Sequence, residues 1–305
     1  MIMQFKEKME EWNMKKFLAV CLCAALAAGT LAACGSNDGG ASGGNSGSAK
    51  RTAKVIDIDL TDEEYAFGVD KSQPELLEQV NSFIAKIQED GTLDEIFDRY
   101  FGDGEPQPVE SAALDTSKDQ LVVATNAAFE PFEYMEGENY VGIDMEIAAL
   151  LAEELGQELV IQNMDFDAVC LSVGQQMCDI AMAGLTVNPE REEYVTFSDT
   201  YYQASQRLIV PSDDTTFDDC KTKEDVEAKL AELTSDTKIG VQQGTTGNSY
   251  VEGDESFGFP GLNATCQTYK SGSLAVQDML NNNVQYVIID AAPAEAITEA
   301  INALQ

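Results

Sequence analysis

Three groups in the segment CDIAMAGLTVNPER, residues 178–191, have the chemistry to hold a carboxylate. Thr186 offers a hydroxyl. Arg191, five residues on, offers a forked guanidinium, the side chain best shaped for two-point binding of a carboxylate. Gly184 lets backbone come close to a ligand, so a free amide there would be a third donor. Residues 180–183 are small or apolar and too few for a helix, so they read as a buried strand. Asn188, Pro189 and Glu190 look like a helix start, with Asn as cap and Pro in the first turn. Arg191 would then sit one turn in, above the carboxyl end of the strand, the edge at which open α/β sheets bind ligands. The competing reading is a surface arginine in an acidic helix, since Glu190, Glu192 and Glu193 surround it.

Composition narrows the chemistry. The 305-residue chain has no histidine, which removes Ser-His and Cys-His nucleophiles and any histidine-held metal. A formal charge of −36 makes nucleic acid a poor partner and suits a soluble protein outside the cytoplasm. No Cys-x-x-Cys occurs among the seven cysteines, against zinc or thioredoxin chemistry; neither metal nor cofactor is expected. In an exported chain Cys170 could pair with Cys178, and Cys220 with Cys266. Free buried cysteines are the alternative.

The elements that must position these groups follow an export signal. Met14-Lys15-Lys16 and the apolar run from Phe17 to Leu31 form a basic head and a hydrophobic body of about 15 residues, short for a membrane span. Leu31-Ala32-Ala33-Cys34 resembles a bacterial lipobox, with Cys34 lipidated. The reading is a signal peptide over 1–33 (with Met14 an alternative start), then the lipidated cysteine and a Gly/Ser-rich flexible tether over 34–52.

Residues 55–60 alternate like a strand, and 65–69 read as another. Pro74 opens an amphipathic helix carrying Leu76, Leu77, Val80, Phe83, Ile84 and Ile87, and a second short helix runs through Leu93 to Phe101. Residues 102–119 look like a linker. A strand over 121–125, a helix capped by Asp144, a strand over 159–162 and a helix from Ala168 lead to the opening segment. Residues 208–211 suit a strand crossing between lobes. A helix (224–233), a strand (238–242), a turn (243–248), a strand (265–269), a helix (274–280), a strand (284–289) and a helix from Pro293 follow. Such alternation implies largely parallel sheets.

With these residues in place, the chain resembles the family-3 bacterial extracellular solute-binding proteins, the polar amino-acid receptors of ABC importers. The resemblance rests on residues 121–132 (LVVATNAAFEPF), 141–144 (VGID), 163–166, 179–191, 197–199 (FSD), 240–247 (GVQQGTTG) and 287–293 (VIIDAAP), in family order. It implies an α/β, two-lobed periplasmic-binding-protein-like (type II) fold with two crossing strands. One departure stands out: residues 65–102 look like the family's C-terminal segment, yet come first. The chain is therefore read as circularly permuted, a leftover fragment of a duplicated neighbour being the alternative. Lobe 1 would be 61–210 with the linker 102–119, which spans up to about 60 Å; lobe 2 would be 53–60 plus 211–305.

The resemblance also implies roles. Arg191 would bind an amino acid's α-carboxylate with Thr186 and the Gly184 amide, Ala183 lining the site beside them. Thr245 and Thr246 would add donors from the other lobe at a helix start. Asp290 would meet the α-ammonium, unless it is an N-cap for the helix at Pro293. Phe129 and Phe166 would flank the side chain, core packing being the alternative for each. Asn126 and Gln242, both neutral, favour a polar neutral amino acid, while Glu130, Asp165 and Asp167 leave a cationic ligand open. The implied whole is a monomeric, lipid-anchored receptor on the outer face of the bacterial cytoplasmic membrane. It would close on an L-amino acid and deliver it to ABC permease subunits. The alternatives are a sensor module for amino acids or a cyclohexadienyl-dehydratase-like enzyme.

Overall fold

A computed structural model describes residues 51–304; the signal peptide, Cys34 and nearly all of the tether lie outside them. Two five-stranded sheets organise the rest. The first runs β7 (Glu158–Asn163), β4 (Gln120–Thr125), β8 (Ile180–Ala181), β3 (Gly68–Asp70), β9 (Val195–Phe197). The second runs β1 (Ala53–Ile56), β11 (Gln206–Pro211), β14 (Tyr286–Asp290), β12 (Lys238–Gln242), β13 (Thr265–Tyr269). Between them a two-stranded ladder pairs β2 (Glu63–Tyr65) with β10 (Tyr202–Ala204). A hairpin of β5 (Tyr134–Glu136) and β6 (Asn139–Val141) lies on the first half.

The sheets are mixed rather than largely parallel. β4 runs parallel to β7 and β8, and β12 to β13 and β14. β3 and its neighbours, and β1, β11 and β14, pair antiparallel. β3 and β11 each enter their sheet directly from a strand of the crossing ladder, with no crossover helix to turn them round.

Several expectations change on this ground. Residues 208–211 do not cross between lobes: they lie in β11, wholly buried between β1 and β14, and the crossing is made upstream by β10. The strand expected over 65–69 is two strands, because Ala66 leaves the crossing ladder to donate to the Leu185 carbonyl before β3 begins. The strand over 55–60 ends at Ile56. The linker is not a bare span: Val109 exchanges both backbone bonds with Tyr140, and Ala112 donates to Leu159, so the segment is laid along the first sheet's edge. Cys170, Cys178, Cys220 and Cys266 are all free thiols, the first three buried, so neither expected disulfide is present.

The helices are α1 (Pro74–Glu89), α2 (Thr92–Phe101), α3 (Ile143–Leu155), α4 (Val169–Gly174), α5 (Lys223–Ala231), α6 (Thr246–Glu252), α7 (Gly272–Leu280) and α8 (Ala291–Ala303). In α1 the apolar stripe is buried as its spacing demands, through Leu76, Val80, Phe83, Ile84 and Ile87. Asp144 does not cap α3. The N-cap is Gly142, whose φ of 135° suits glycine, and Asp144 is buried inside the first turn. Among the described residues no helix is long and apolar enough to cross a membrane.

Candidate functional site

Motifs from the two halves meet across the gap between the sheets. Arg191, in a single 3₁₀ turn rather than an α-helix, is buried and held by the Asn188 side chain, whose Oδ1 accepts from the Arg191 amide at 2.7 Å. Asn188 thus supplies the cap-like bond that its type predicted. The guanidinium lies 5.1 Å from the centre of the Phe166 ring. Its Nη1 donates to the Thr186 carbonyl at 2.7 Å and its Nη2 to the Gly244 carbonyl, in the other half, at 3.1 Å. The surface reading of Arg191 is thereby excluded.

Further contacts tie the same two faces. Gln242 Nε2 donates to Asn126 Oδ1 at 3.1 Å, and Asn126 Nδ2 to the Met164 carbonyl at 2.6 Å. The Gln242 Oε1 is buried without a partner. Gln243 Nε2 donates to Asp167 at 2.9 Å and Lys270 Nζ to Asp165 at 2.8 Å. Thr245 caps α6, accepting from the Asn248 amide while donating to the Gln242 carbonyl; Thr246 is buried in the first turn. Ala183 is buried at the end of the apolar run.

Two parts of the expected carboxylate clamp are differently engaged. The Gly184 amide is not free: it donates to Asp144 Oδ2 at 2.9 Å, and Tyr201 donates to Asp144 Oδ1 at 2.6 Å. A buried carboxylate takes the nearest donors, and the φ of 54° at Gly184 turns its amide inward. The Thr186 hydroxyl donates to Glu63 Oε2 at 2.7 Å. Phe129 packs on Gly184, where a side-chain carbon would come within 2.9 Å of its ring; core and site are the same surface there.

Asp290 is buried and makes no side-chain cap to α8. It accepts from the Tyr65 hydroxyl at 2.6 Å. Burial first, and then the neighbouring Glu63, raise its carboxyl to about 7. Burial raises Asp144 to about 7 as well, against the opposing bonds from Gly184 and Tyr201. Arg191 and Asp290 do not touch. They are linked through Thr186 and Glu63 to Gln206, whose Nε2 donates to Glu63 Oε1 at 3.0 Å and which lies opposite Asp290 in the β11–β14 pairing. A 480 Å³ cavity beside Asp290 opens on the crossing strands and is not lined by Arg191.

Sequence reasoning missed two buried acids. Glu63 receives donors from Thr61, Thr186 and Gln206; the signal was the alternation of β2, which buries Glu63 and Tyr65 and exposes Glu64. Glu133 is fully buried with neither carboxylate oxygen bonded. Burial, then Asp144 and Asp290 nearby, raise it well above the ordinary carboxyl range, so it is held as the neutral acid. No cluster of potential metal ligands occurs among the described residues.

Two α/β halves, a two-stranded crossing and buried polar groups facing one another across the gap define a two-lobed solute-binding protein of the type II fold. The chain belongs to the bacterial extracellular solute-binding proteins, family 3, whose sequence profile matches residues 7–103 and 121–286. It is 38% identical over 103 residues to the arginine-binding extracellular protein ArtP of Bacillus subtilis, covering 34% of this chain and 40% of that one. It is 28% identical over 179 residues to the putative ABC transporter arginine-binding protein 2 of Escherichia coli, covering 58% of this chain and 65% of that one. The chain thus matches 40% to 65% of the length of these relatives.

Among solved structures, holo ArgBP from T. maritima superposes with a TM-score of 0.52 at 30% identity, covering 62% of this chain and 78% of that one. The ancestral amino acid-binding protein AncCDT-1, a precursor of cyclohexadienyl dehydratase, gives 0.51 at 27% identity, covering 68% and 79%. The relatives named here are binding proteins.

Proposed function

We propose that the chain is the extracytoplasmic receptor of an ABC importer, which binds an L-amino acid between its lobes and closes on it for delivery to the permease. The observation that carries this reading is the meeting of Arg191 and Phe166 from one lobe with Gly244 and Gln242 from the other. The ligand's α-carboxylate replaces the carbonyls on Arg191, and its α-ammonium joins Asp290, with Thr245 and Thr246 at the start of α6. Asn126 and Gln242 part to admit the side chain, which lies between Phe129 and Phe166, with Ala183, Gly184 and Thr186 beneath. Two buried acids that accept hydrogen bonds, Asp290 and Glu63, favour a cationic ligand over the neutral one that Asn126 and Gln242 alone suggested. The arginine-binding names of the relatives agree, so L-arginine is the first candidate. The protein acts as a monomer held at the outer face of the membrane through Cys34 and the tether 34–52, after removal of 1–33.

Closure follows from differential affinity. A ligand touching both lobes shifts the population toward the closed form by as much as it prefers that form. Micromolar binding, about −8 kcal/mol, is ample to drive it. A thermal-shift screen of the amino acids with Arg191→Ala as control tests the ligand. Small-angle scattering tests the mechanism: no contraction at saturating ligand would reject it.

We also propose that the chain is circularly permuted relative to its family. Supporting this, β1 completes the second sheet and β3 the first, and Asn302 near the end of α8 bonds both the N–H and the carbonyl of Ala53. On this view lobe 1 is 61–204 with its edge strap 102–119, and lobe 2 is 53–60 plus 206–304.

A further inference from the structure

Against the crossing strands, with Arg191 not among its lining residues, lies the 480 Å³ cavity, a volume typical of small-molecule sites. Both lobes build it. Leu93, Asp94 and Phe97 of α2 and Phe132 come from one; Arg207 and the first residues of α8 come from the other. Its wall is an aromatic cluster centred on Tyr202, whose ring lies 5.0 Å from Phe132, 5.5 Å from Tyr65 and 5.7 Å from Phe97.

The charge on this lining is one-sided. Arg207 is the sole basic residue among the lining residues, and three carboxylates already bind it: Asp57 at 2.6 Å, Asp59 at 2.8 Å and Glu295 at 3.4 Å. Asp62 and Asp94 stand exposed at the rim; Asp290, also in the wall, is shared with the cleft and adds little charge while it holds its proton. Tyr202 is the half-buried ring of this cluster, Phe132 and Tyr65 packing behind it fully buried; its exposed part and the excess negative charge both attract a cation, and the apolar walls favour one with a hydrocarbon surface.

We propose that this hinge cavity is a second ligand site, sharing only Asp290 with the cleft, for a small organic cation of the quaternary or substituted ammonium type. Because both lobes line it, its occupant reads the angle between them.

Choline and its neutral isostere 3,3-dimethyl-1-butanol test this by isothermal titration on the purified protein, with and without saturating L-arginine. Choline is expected to bind in both conditions and to Arg191→Ala, about tenfold more tightly than the alcohol. Ala292→Phe, which fills the cavity, should weaken choline at least about tenfold while leaving arginine binding in place. Should that variant fail to fold, Asp62→Asn combined with Asp94→Asn, both at exposed positions, should weaken choline about threefold. Equal binding of the two probes, displacement of choline by arginine, or no choline binding at millimolar concentration would overturn the proposal. The Arg191→Ala arm separates this from the cleft reading, since it tests the cavity whether or not arginine is the ligand.

Discussion

Arg191 and Asp290 are buried ionisable groups whose present partners are neutral: two carbonyls for one, a phenol for the other. Such groups gain most from an oppositely charged ligand. Arg191→Ala should therefore weaken amino-acid binding by about 100-fold or more, and Arg191→Lys should recover little, because the two-carbonyl fork needs a planar guanidinium; titration calorimetry checks both. For Asp290 the sign is fixed by its carboxyl standing near 7 in the fold against about 3.9 when unfolded. The folded state holds the proton more tightly, so this contribution is complete below the unfolded value and is lost as pH rises through the folded one. Without ligand this contribution should lower the thermal midpoint as pH rises from about 4 to about 7. Asp290→Asn should remove part of that slope, with Asp144 supplying more. Glu63→Gln keeps the bonds from Thr61 and Gln206 sterically possible but removes a like charge; the slope should shift to lower pH, and a cationic ligand should bind about tenfold more weakly. Glu63 escaped the sequence reading because Asp62-Glu63-Glu64 looks like a solvated acidic run, and only the fold shows which of the three turns inward.

At the scale of elements, legibility followed how locally each boundary is determined. β12 and β13 span 238–242 and 265–269 as the apolar runs and flanking polar residues indicate, and α1 is fixed by Pro74 and Gly91. β8 shrinks to Ile180 and Ala181 because the chain must turn at Gly184 to aim its amide at Asp144, a partner 40 residues away. Residues 208–211 misled for the converse reason: an apolar run ending in proline fits a crossing strand or a buried sheet strand equally, and only pairing with β1 and β14 decides. Gly184→Ala should destabilise the protein by about 1–3 kcal/mol, since φ is 54° and the new methyl meets the Phe129 ring. Chemical denaturation measures this, and an unchanged midpoint would show that the turn relaxes freely.

For the whole molecule, residues from 53 to 70 supply a strand to each sheet and one to the crossing, which sequence order alone could suggest but not place. If the permuted reading holds, a rearranged gene joining 303 to 53 and opening the chain within 102–119 should give a protein that binds the same ligand within about threefold, because closely placed ends tolerate rearrangement. Loss of folding in that variant would count against it. The pairing of Ala53 with Pro211 carries one more consequence, for assembly on the ribosome. Every strand of the first sheet has been made once residue 197 emerges, so that lobe can consolidate early. β1, made before all of them, must wait unpaired until β11 appears and remains an open edge meanwhile. The second lobe is therefore the late folder, and the interval before it closes is when the nascent chain is most exposed to mispairing.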